Sequence, residues 1–373
     1  MTQTQRPLAI AHVTGETGFS GGEVQVFLLL EGLHKRGHRN LLVCPPGSRS
    51  EREARRRGIE TWRVAMRSDA SLHAVWRVGR GLRRWRPDLV HLHTGRANWL
   101  GGLAAWRLGL PAVTTRRMDR PVKRGARTRF LYGSVVRRAV AISPAVARRL
   151  AAAGVPDGMT RVIHSAVDPE ALHPQREREA VRTEEGLAPE APCLLVLASL
   201  VRRKGIDVLI EAFARIDGEG TRPVLWIAGA GPERAALVRQ VRDAALGDRV
   251  RFLGPRRDTA DLLEACDVFV LPSRQEGLGV AALEAMACAR PVVASRVGGL
   301  AEAVVHERTG LLVPPEDPAA LRDALARLLG DRELRRSLGA AGPARVGEGF
   351  LAEQMVEAYE ALYREVLDEV EPT

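Results

Sequence analysis

Short apolar runs recur along this chain at intervals that leave room for a helix between them. In the first half they occupy residues 8–14, 40–45, 89–94 and 112–115, and in the second half residues 193–199, 224–228, 250–254 and 268–272. Strands that alternate with helices form parallel sheets covered on both faces. The pattern therefore predicts an α/β fold with doubly wound parallel sheets.

The length of the chain predicts two domains. With 373 residues and 45% hydrophobic content, each domain can bury a core of its own. Residues 162–168 are predicted as the last strand of the first domain. Residues 174–192 are charged, contain Gly186 and are bounded by prolines, which is typical of a domain joint. We therefore expect domains at residues 1–175 and 176–349, followed by a C-terminal helical segment at residues 350–373.

Basic charge is concentrated in the first domain. Residues 1–175 carry 30 Lys and Arg against 12 Asp and Glu, whereas residues 176–373 carry 26 against 33. One interpretation is a solvated, arginine-rich surface. The other is attraction to an anionic acceptor or to an anionic membrane surface, where each nearby basic residue contributes about 1 kcal/mol.

The cysteines and the lengths of the apolar runs indicate in which cellular compartment the protein is expected. Cys44, Cys193, Cys266 and Cys288 lie in or beside apolar runs, so we expect core residues rather than a disulfide or zinc framework. The lack of an expected disulfide framework predicts that the protein resides in the reducing cytoplasm. No run approaches the roughly 20 apolar residues of a membrane span, and no signal-peptide core is seen. The expected protein is cytoplasmic, either soluble or peripheral on the inner face of the plasma membrane.

Residues 273–287 carry the most informative motif. A buried-strand pattern ends just before Ser273, and residues 280–287 are mostly helix formers, which places Glu276 on a loop and Glu284 on a helix. Between them, the backbone N–H groups of Gly277, Leu278, Gly279 and Val280 lie where a helix N-terminus attracts phosphate. The alternative is an ordinary strand–helix joint with a helix-start carboxylate at Glu276 and a solvated Glu284.

The string E-G-L-G-V-A-A-L-E-A-M-A, residues 276–287, resembles the E-x7-E signature of retaining glycosyltransferases of family 4. That resemblance implies the GT-B fold, with two Rossmann-like domains, an interdomain cleft and a C-terminal helix that crosses back to the first domain. It also implies that Glu276 contacts the donor hexose near the phosphate and that Glu284 binds the ribose hydroxyls.

A basic turn follows the first strand of the second domain. Arg203 and Lys204 precede Gly205 there, and they can neutralise a diphosphate, although a solvated turn has the same composition. The family places an R/K-K-G element here to hold the donor diphosphate. A further family arginine is replaced by Ser199, so one cation is either missing or supplied by Arg202. The resemblance also assigns donor contacts to glycines of the loops after other strands, namely Gly21, Gly22, Gly229, Gly231 and Gly254.

The loop after residue 114 departs from the family pattern. Where many members have a sugar-contacting histidine, this chain has Arg116 and Arg117, followed by Asp119. This form is similar to the lipopolysaccharide-core branch of the family, and it implies an anionic glycan or glycolipid acceptor near Arg116, Arg117 and Ser143.

No metal and no cofactor are expected. His91 and His93 share one strand face, but no acidic or cysteine partner follows at ligand spacing, and no D-x-D motif is present. Charge on the leaving diphosphate must then be met by Arg203, Lys204 and helix-end amides, with Glu276 as the third catalytic residue.

These expectations describe a metal-independent hexosyltransferase that uses a nucleotide-diphosphate sugar, with a role in cell-envelope polysaccharide synthesis. Three alternatives stay open at this point. A sugar-nucleotide epimerase or phosphorylase could use the same fold, and a homologue could bind its ligand without catalysis. A nucleic-acid-binding protein could use the basic half, but three tyrosines and the lack of a reader motif argue against it.

Overall fold

Two compact units make up the computed structural model, which describes residues 6–18, 20–156, 158–188, 190–216 and 222–370. Unit 1 comprises Met1–Ser165 and Ala352–Thr373, and unit 2 comprises Ala166–Leu351. Each unit is a parallel sheet flanked by helices, as the alternating apolar runs predicted.

Unit 1 is built on seven parallel strands. They are β1 (Ala9–Val13), β2 (Arg39–Cys44), β3 (Glu60–Arg63), β4 (Leu89–Leu92), β5 (Ala112–Arg116), β6 (Arg138–Ala141) and β7 (Thr160–Val162). Their order in the sheet is β3-β2-β1-β4-β5-β6-β7. The helices before the domain joint are α1 (Gly21–Lys35), α2 (Arg49–Arg56), α3 (Leu72–Trp85), α4 (Gly95–Arg107), α5 (Ala126–Phe130) and α6 (Pro144–Ala152).

The start of α1 is determined by local sequence. Ser20 and Glu23 form a capping box, in which Glu23 accepts from the Ser20 N–H at 2.8 Å while Ser20 caps the first turn. The helix therefore begins at Gly21.

Unit 2 has six parallel strands. They are β8 (Cys193–Leu197), β9 (Val224–Ala228), β10 (Val250–Gly254), β11 (Val268–Leu271), β12 (Val292–Ser295) and β13 (Gly310–Val313), in the order β10-β9-β8-β11-β12-β13. The helices of the unit are α7 (Arg178–Glu184), α8 (Ile206–Ala214), α9 (Arg234–Asp243), α10 (Thr259–Ala265), α11 (Val280–Ala287), α12 (Leu300–Ala303), α13 (Pro318–Gly330), α14 (Arg332–Ala340) and α15 (Gly342–Gly347).

The chain passes from unit 1 to unit 2 earlier than the charged segment at 174–192. Strand β7 ends at Val162, so residues 163–168 do not continue the predicted strand. Instead, the Val167 N–H donates to Phe350 O at 2.9 Å and Val167 pairs with Leu351, which holds this stretch against the end of unit 2. Backbone pairing, rather than composition, sets the division at Ser165.

The last helix, α16 (Ala352–Asp368), packs in unit 1 although it follows unit 2 in sequence. It lies against α1 at Gly32, where an added Cβ would come within 2.3 Å of a Val356 methyl group. Arg36 on the first segment also pairs with Glu360 at 2.6 Å. The expected return of a C-terminal helix to the first domain is thus observed, and residues 371–373 of that expected segment lie outside the described residues.

Candidate functional site

The order of the strands in unit 2 reverses direction between β8 and β11. Successive connections from β8 run outward to β9 and β10, while β11, β12 and β13 extend the sheet on the other side. Loops diverge at such a switch point and leave a crevice outside the carboxyl ends of the strands, where ligands bind in open α/β sheets. The loop with Arg203 and Lys204 follows β8, and the loop with Glu276 follows β11.

Backbone hydrogen bonds tie these loops into one continuous edge. From β10 towards β12, they join Gly229 N–H to Gly254 O (2.8 Å), Leu200 N–H to Ala230 O (2.9 Å), Arg274 N–H to Arg203 O (2.8 Å) and Gly299 N–H to Glu276 O (3.3 Å). Each loop is therefore positioned by its neighbour. The edge brings together the predicted residues Gly229, Gly254, Arg203 and Glu276.

Two glycines permit the close approach of these loops. Gly205 has φ +65°, and an added Cβ would lie 1.9 Å from Pro272 O, at the end of β11. Gly229 has φ +149°, and its Cβ would lie 1.8 Å from Ala198 O, just after β8. A side chain at either position would force the neighbouring backbone segments apart. Gly231 belongs to the same contact, because its Cβ would meet Leu200 O at 2.2 Å.

The switch point brings Lys204 and Glu276 into direct contact. The Lys204 ammonium group pairs with Glu276 Oε2, and both side chains are largely buried. The Ser273 hydroxyl donates to the same carboxylate oxygen at 3.2 Å. Arg203, beside them on the turn, makes no side-chain hydrogen bond or ion pair with any described residue. The site thus holds one compensated cation and one uncompensated cation.

Arg274 fixes the geometry of this loop, and sequence reasoning missed it. Its guanidinium binds both carboxylate oxygens of Asp207, at 2.7 and 2.8 Å, and also Glu316 at 2.7 Å and Arg202 O at 2.8 Å. These bonds raise the pKa of Arg274 above its ordinary value. The bidentate pair connects α8 to the loop after β11. In the sequence, the only sign of this role was that Arg274 lies between Ser273 and Glu276 of the motif.

Helix α11 begins without a cap from the protein. Gly279 is the N-cap residue, has φ +88° and provides no side-chain acceptor. Among the residues that the structure describes, no acceptor is found for the N–H groups of Leu278, Gly279 and Val280. Gly277, the fourth predicted residue, already has an interaction within the protein. Free amides at the start of a helix next to two cations form a suitable environment for a phosphate group.

Glu284 lies a little over one turn into α11. Burial of its carboxyl group raises the pKa of Glu284 to about 7, and among the described residues no hydrogen bond or charged neighbour counteracts this effect. An unpartnered, half-buried carboxyl group costs free energy unless a ligand supplies hydrogen-bond donors. Glu284 is therefore poised to accept from hydroxyl groups.

Unit 1 has its own switch point, between β1 and β4, and polar side chains are buried there. His12 lies on β1, while His91 and His93 lie on and just after β4. The ring nitrogens of these three histidines come within 4.8 Å of one another. The sequence had drawn attention to His91 and His93, but His12 is too far away along the chain to have been associated with them.

The hydrogen bonds of His12 and His93 determine their tautomers. The Asn40 amide nitrogen donates to Leu30 O at 3.3 Å, so Asn40 Oδ1 faces His12 and accepts from His12 Nε2 at 3.2 Å. His12 Nδ1 must then accept from His93 Nε2, at 3.0 Å. The remaining nitrogen, His93 Nδ1, faces the Arg117 guanidinium at 3.3 Å. The resulting chain of donors runs from Arg117 through His93 and His12 to Asn40.

His91 is satisfied separately. Its two ring nitrogens lie 2.7 Å from the Tyr363 hydroxyl and 2.7 Å from the Thr115 hydroxyl, and Thr115 contacts the Tyr359 hydroxyl at 2.8 Å. Burial lowers the pKa of His12 to about 3 and lowers the pKa values of His91 and His93 well below the ordinary range. The ring nitrogens of the three histidines are engaged by one another and by neighbouring hydrogen-bonding groups of the protein. That no metal binds here stays a prediction.

The other predicted residues of unit 1 lie near this cluster or serve a structural role. Arg116 donates to Arg120 O at 2.5 Å, and Ser143 caps α6 by accepting from the Val146 N–H at 3.2 Å. Gly21 and Gly22 form the first turn of α1, and the space around Gly21 is open. The Arg117 Cδ atom would lie 3.7 Å from a Cβ added at Gly22, so Arg117 faces this turn.

Comparison with protein families gives two matches that follow one another along the chain. Residues 19–171 match "Glycosyltransferase Family 4", and residues 177–345 match "Glycosyl transferases group 1". The division between the two matches falls close to the division between the two compact units.

Individual proteins are similar over long stretches. A D-inositol 3-phosphate glycosyltransferase of Jonesia denitrificans is 31% identical over 303 residues, which are 73% of this chain and 71% of that protein. An N-acetyl-alpha-D-glucosaminyl L-malate synthase of Bacillus anthracis is 32% identical over 212 residues, 57% of this chain and 55% of that enzyme. Among solved structures, Anabaena HepE in complex with UDP and glucose superposes with a TM-score of 0.87 at 21% identity, covering 96% of this chain and 100% of HepE.

Proposed function

Because the chain belongs to glycosyltransferase family 4, with the GT-B fold, we propose that it transfers a hexose-type sugar from a nucleotide-diphosphate sugar to an anionic glycan or glycolipid acceptor. One observation carries the proposal. At the switch point of unit 2, the Lys204–Glu276 pair, the unpaired Arg203 and the uncapped start of α11 lie along one edge, with the unpartnered Glu284 on the same helix.

The parts of the donor, from the ribose through the diphosphate to the hexose, match these groups one after another. Glu284 accepts from the ribose hydroxyls, the free N–H groups of α11 bind the diphosphate, and Arg203 and Lys204 neutralise its charge. Glu276 lies beside the hexose. HepE was solved with UDP and glucose, which supports a nucleotide-diphosphate donor.

Transfer proceeds with retention of configuration and without a bound metal or cofactor. The bond from the anomeric carbon to the diphosphate oxygen breaks, and the acceptor oxygen bonds to the same face of that carbon. The departing phosphate takes the proton of the acceptor hydroxyl. The side-chain cations and helix-end amides stabilise the negative charge that develops on the leaving group.

The acceptor class is proposed from two kinds of support. The names of two relatives specify inositol 3-phosphate and L-malate, a phosphate ester and a dicarboxylate. The excess of basic residues in the first half of this chain matches such ligands. For this chain, the acceptor that we propose is a negatively charged intermediate of cell-envelope polysaccharide synthesis.

The test is a product analysis of the purified protein with a panel of nucleotide sugars, with and without phosphorylated and carboxylated acceptors, in the presence and absence of a chelator. We expect acceptor-dependent release of nucleotide diphosphate that the chelator leaves intact. Epimerised donor without acceptor, or release of a sugar phosphate, would instead identify an epimerase or a phosphorylase.

The pH dependence of donor binding provides a specific prediction for Glu284. The ionised carboxylate accepts hydroxyl hydrogens, and its pKa in the free protein is raised to about 7. Binding below that pH must expel a proton, so affinity for UDP-glucose should fall by about tenfold between pH 8 and pH 6. Calorimetry in buffers of different ionisation enthalpy should detect proton release near neutral pH.

The matched control for this prediction is Glu284→Gln, which cannot titrate. Its affinity should be lower than that of the parent at pH 8 and nearly constant with pH. A parent protein whose affinity does not change between pH 6 and pH 8 would contradict the assigned role.

An anionic membrane surface is the second partner that we propose. One face of α3 exposes Leu72 and Trp76, which are 81% and 56% accessible, together with Arg80, Arg83 and Arg84. None of these arginines has an ion-pair partner among the described residues. Apolar side chains flanked by arginines on one helix face suit the interface of an anionic bilayer. No helix of the described chain is long and apolar enough to cross a membrane.

Sedimentation with vesicles that contain anionic phospholipid tests this surface. Replacing the three arginines with glutamine should weaken binding at least tenfold, because each contributes about 1 kcal/mol near such a surface. The change Val238→Ser, at an exposed apolar residue on α9, should have no effect. Equal binding to neutral vesicles would contradict the proposal.

A further inference from the structure

Arg117 carries a charge that the protein does not compensate. Its guanidinium makes only long contacts, to His93 Nδ1 at 3.3 and 3.4 Å and to His93 O at 3.5 Å. Its Nε atom is fully enclosed and has no hydrogen-bond partner. No carboxylate of the described residues lies within ion-pair distance. Enclosing a cation without a counter-ion costs free energy unless a bound anionic ligand neutralises its charge.

The surroundings orient the guanidinium without neutralising it. His93 is held as a neutral acceptor towards Arg117 by the chain of hydrogen bonds through His12 to Asn40. Glu23 Oε2 accepts from the Ser20 N–H at 2.8 Å and from the Ser20 hydroxyl at 2.7 Å, and Glu23 forms no ion pair with Arg117. Burial accordingly lowers the pKa of Arg117, and the charge interactions with Tyr359, Glu23 and Tyr363 oppose this effect only in part.

The first turn of α1 lies beside Arg117 at Gly22, and the space around the neighbouring Gly21 is open. A Cβ added at Gly22 would come no closer than 3.7 Å to the Arg117 side chain, and a Cβ at Gly21 would meet nothing within 4 Å. The positive end of a 15-residue helix points into this space. Both the guanidinium and the helix start therefore favour a negatively charged group in the same place.

We propose that Arg117 is the residue that binds the anionic group of the acceptor, a phosphate monoester or a carboxylate, and that the His93–His12–Asn40 chain positions it. This inference rests on the proposed function and adds a specificity-determining residue to it. Arg116 differs in that its guanidinium donates to Arg120 O at 2.5 Å, although its Nε, like that of Arg117, has no hydrogen-bond partner among the described residues.

The inference is tested by binding rather than by turnover. Inorganic phosphate and L-malate serve as probes for the full-length protein saturated with UDP, so that the diphosphate site of unit 2 is occupied. We expect Arg117→Gln to weaken binding of both probes by about tenfold or more, since charge-assisted contacts are lost. Arg117→Lys keeps the charge without the planar fork and should retain part of the affinity. Arg116→Gln is the matched control and should bind as the parent does.

The outcomes are distinguishable from one another. If the parent binds neither UDP nor any other nucleoside diphosphate, the proposed function fails. If UDP binds but the probes bind the parent and Arg117→Gln equally, or do not bind the parent, the assignment of Arg117 is wrong. If Arg117→Gln also loses affinity for UDP, Arg117 belongs to the donor-binding site and its assignment to the acceptor is wrong. Thermal unfolding of each variant establishes that it is folded, and Arg117→Lys carries the test if Arg117→Gln is not.

Discussion

Lys204→Ala should lower kcat/KM by about 10³-fold and weaken binding of the nucleotide-sugar donor. The ammonium group neutralises both Glu276 and the incoming diphosphate, so its removal leaves an uncompensated carboxylate beside a second negative group. Arg203→Ala should weaken donor binding less, because Arg203 pairs with no carboxylate in the described part of the chain, and its removal therefore leaves no protein charge uncompensated. The double variant should lose more than either single variant.

Two controls separate this effect from a general loss of positive charge. Arg202 is exposed on the same turn, and Arg202→Ala should behave nearly as the parent protein does. Adding Glu276→Gln to Lys204→Ala should restore part of the donor affinity, because the repulsion is removed, but it should not restore the rate. Unchanged affinity and rate in the Arg203, Lys204 double variant would exclude both residues from the site.

Glu276→Gln should reduce kcat by about 10²-fold or more while changing donor affinity much less. The carboxylate lies next to the proposed hexose position, where positive charge develops on the sugar as the diphosphate departs. That interaction is stronger in the transition state than in the ground state, so its loss affects the rate. Glutamine has nearly the same shape and can still accept from Ser273, so the loop should keep its structure.

Calorimetry of donor binding alongside transfer kinetics distinguishes the two roles. Glu316→Gln provides a control, since this exposed carboxylate contacts Arg274 near the same loop, and exposed pairs contribute little. A Glu276→Gln variant that transfers at the parent rate would show that the carboxylate does not act on the reacting sugar.

The strand–loop–helix element around Glu276 could be predicted because its signals are local. An apolar run gives β11, and helix formers after Gly279 give α11, which begins at Val280. The start of α1 has a comparable local signal in the capping-box spacing of Ser20 and Glu23, although no prediction was drawn from it. Such short-range preferences act before tertiary contacts are made.

The polar cluster of unit 1 could not be derived in the same way. His12 and His93 are 81 residues apart in sequence, and only the adjacency of β1 and β4 brings them together. The sequence also could not distinguish Arg116 from Arg117. Their roles differ because one meets the Arg120 carbonyl and the other meets a histidine whose tautomer depends on Asn40.

The position of α16 has a consequence for synthesis on the ribosome. Tyr359 and Tyr363 of this helix fill the space beside His91 and Thr115, yet they are made after all of unit 2. Strands β1 to β7 therefore emerge before the helix that supplies the Tyr363 hydroxyl to His91, while unit 2 is continuous and can complete its core first. A chaperone that shields nascent apolar surface would be needed longest by the part of the chain that is translated first.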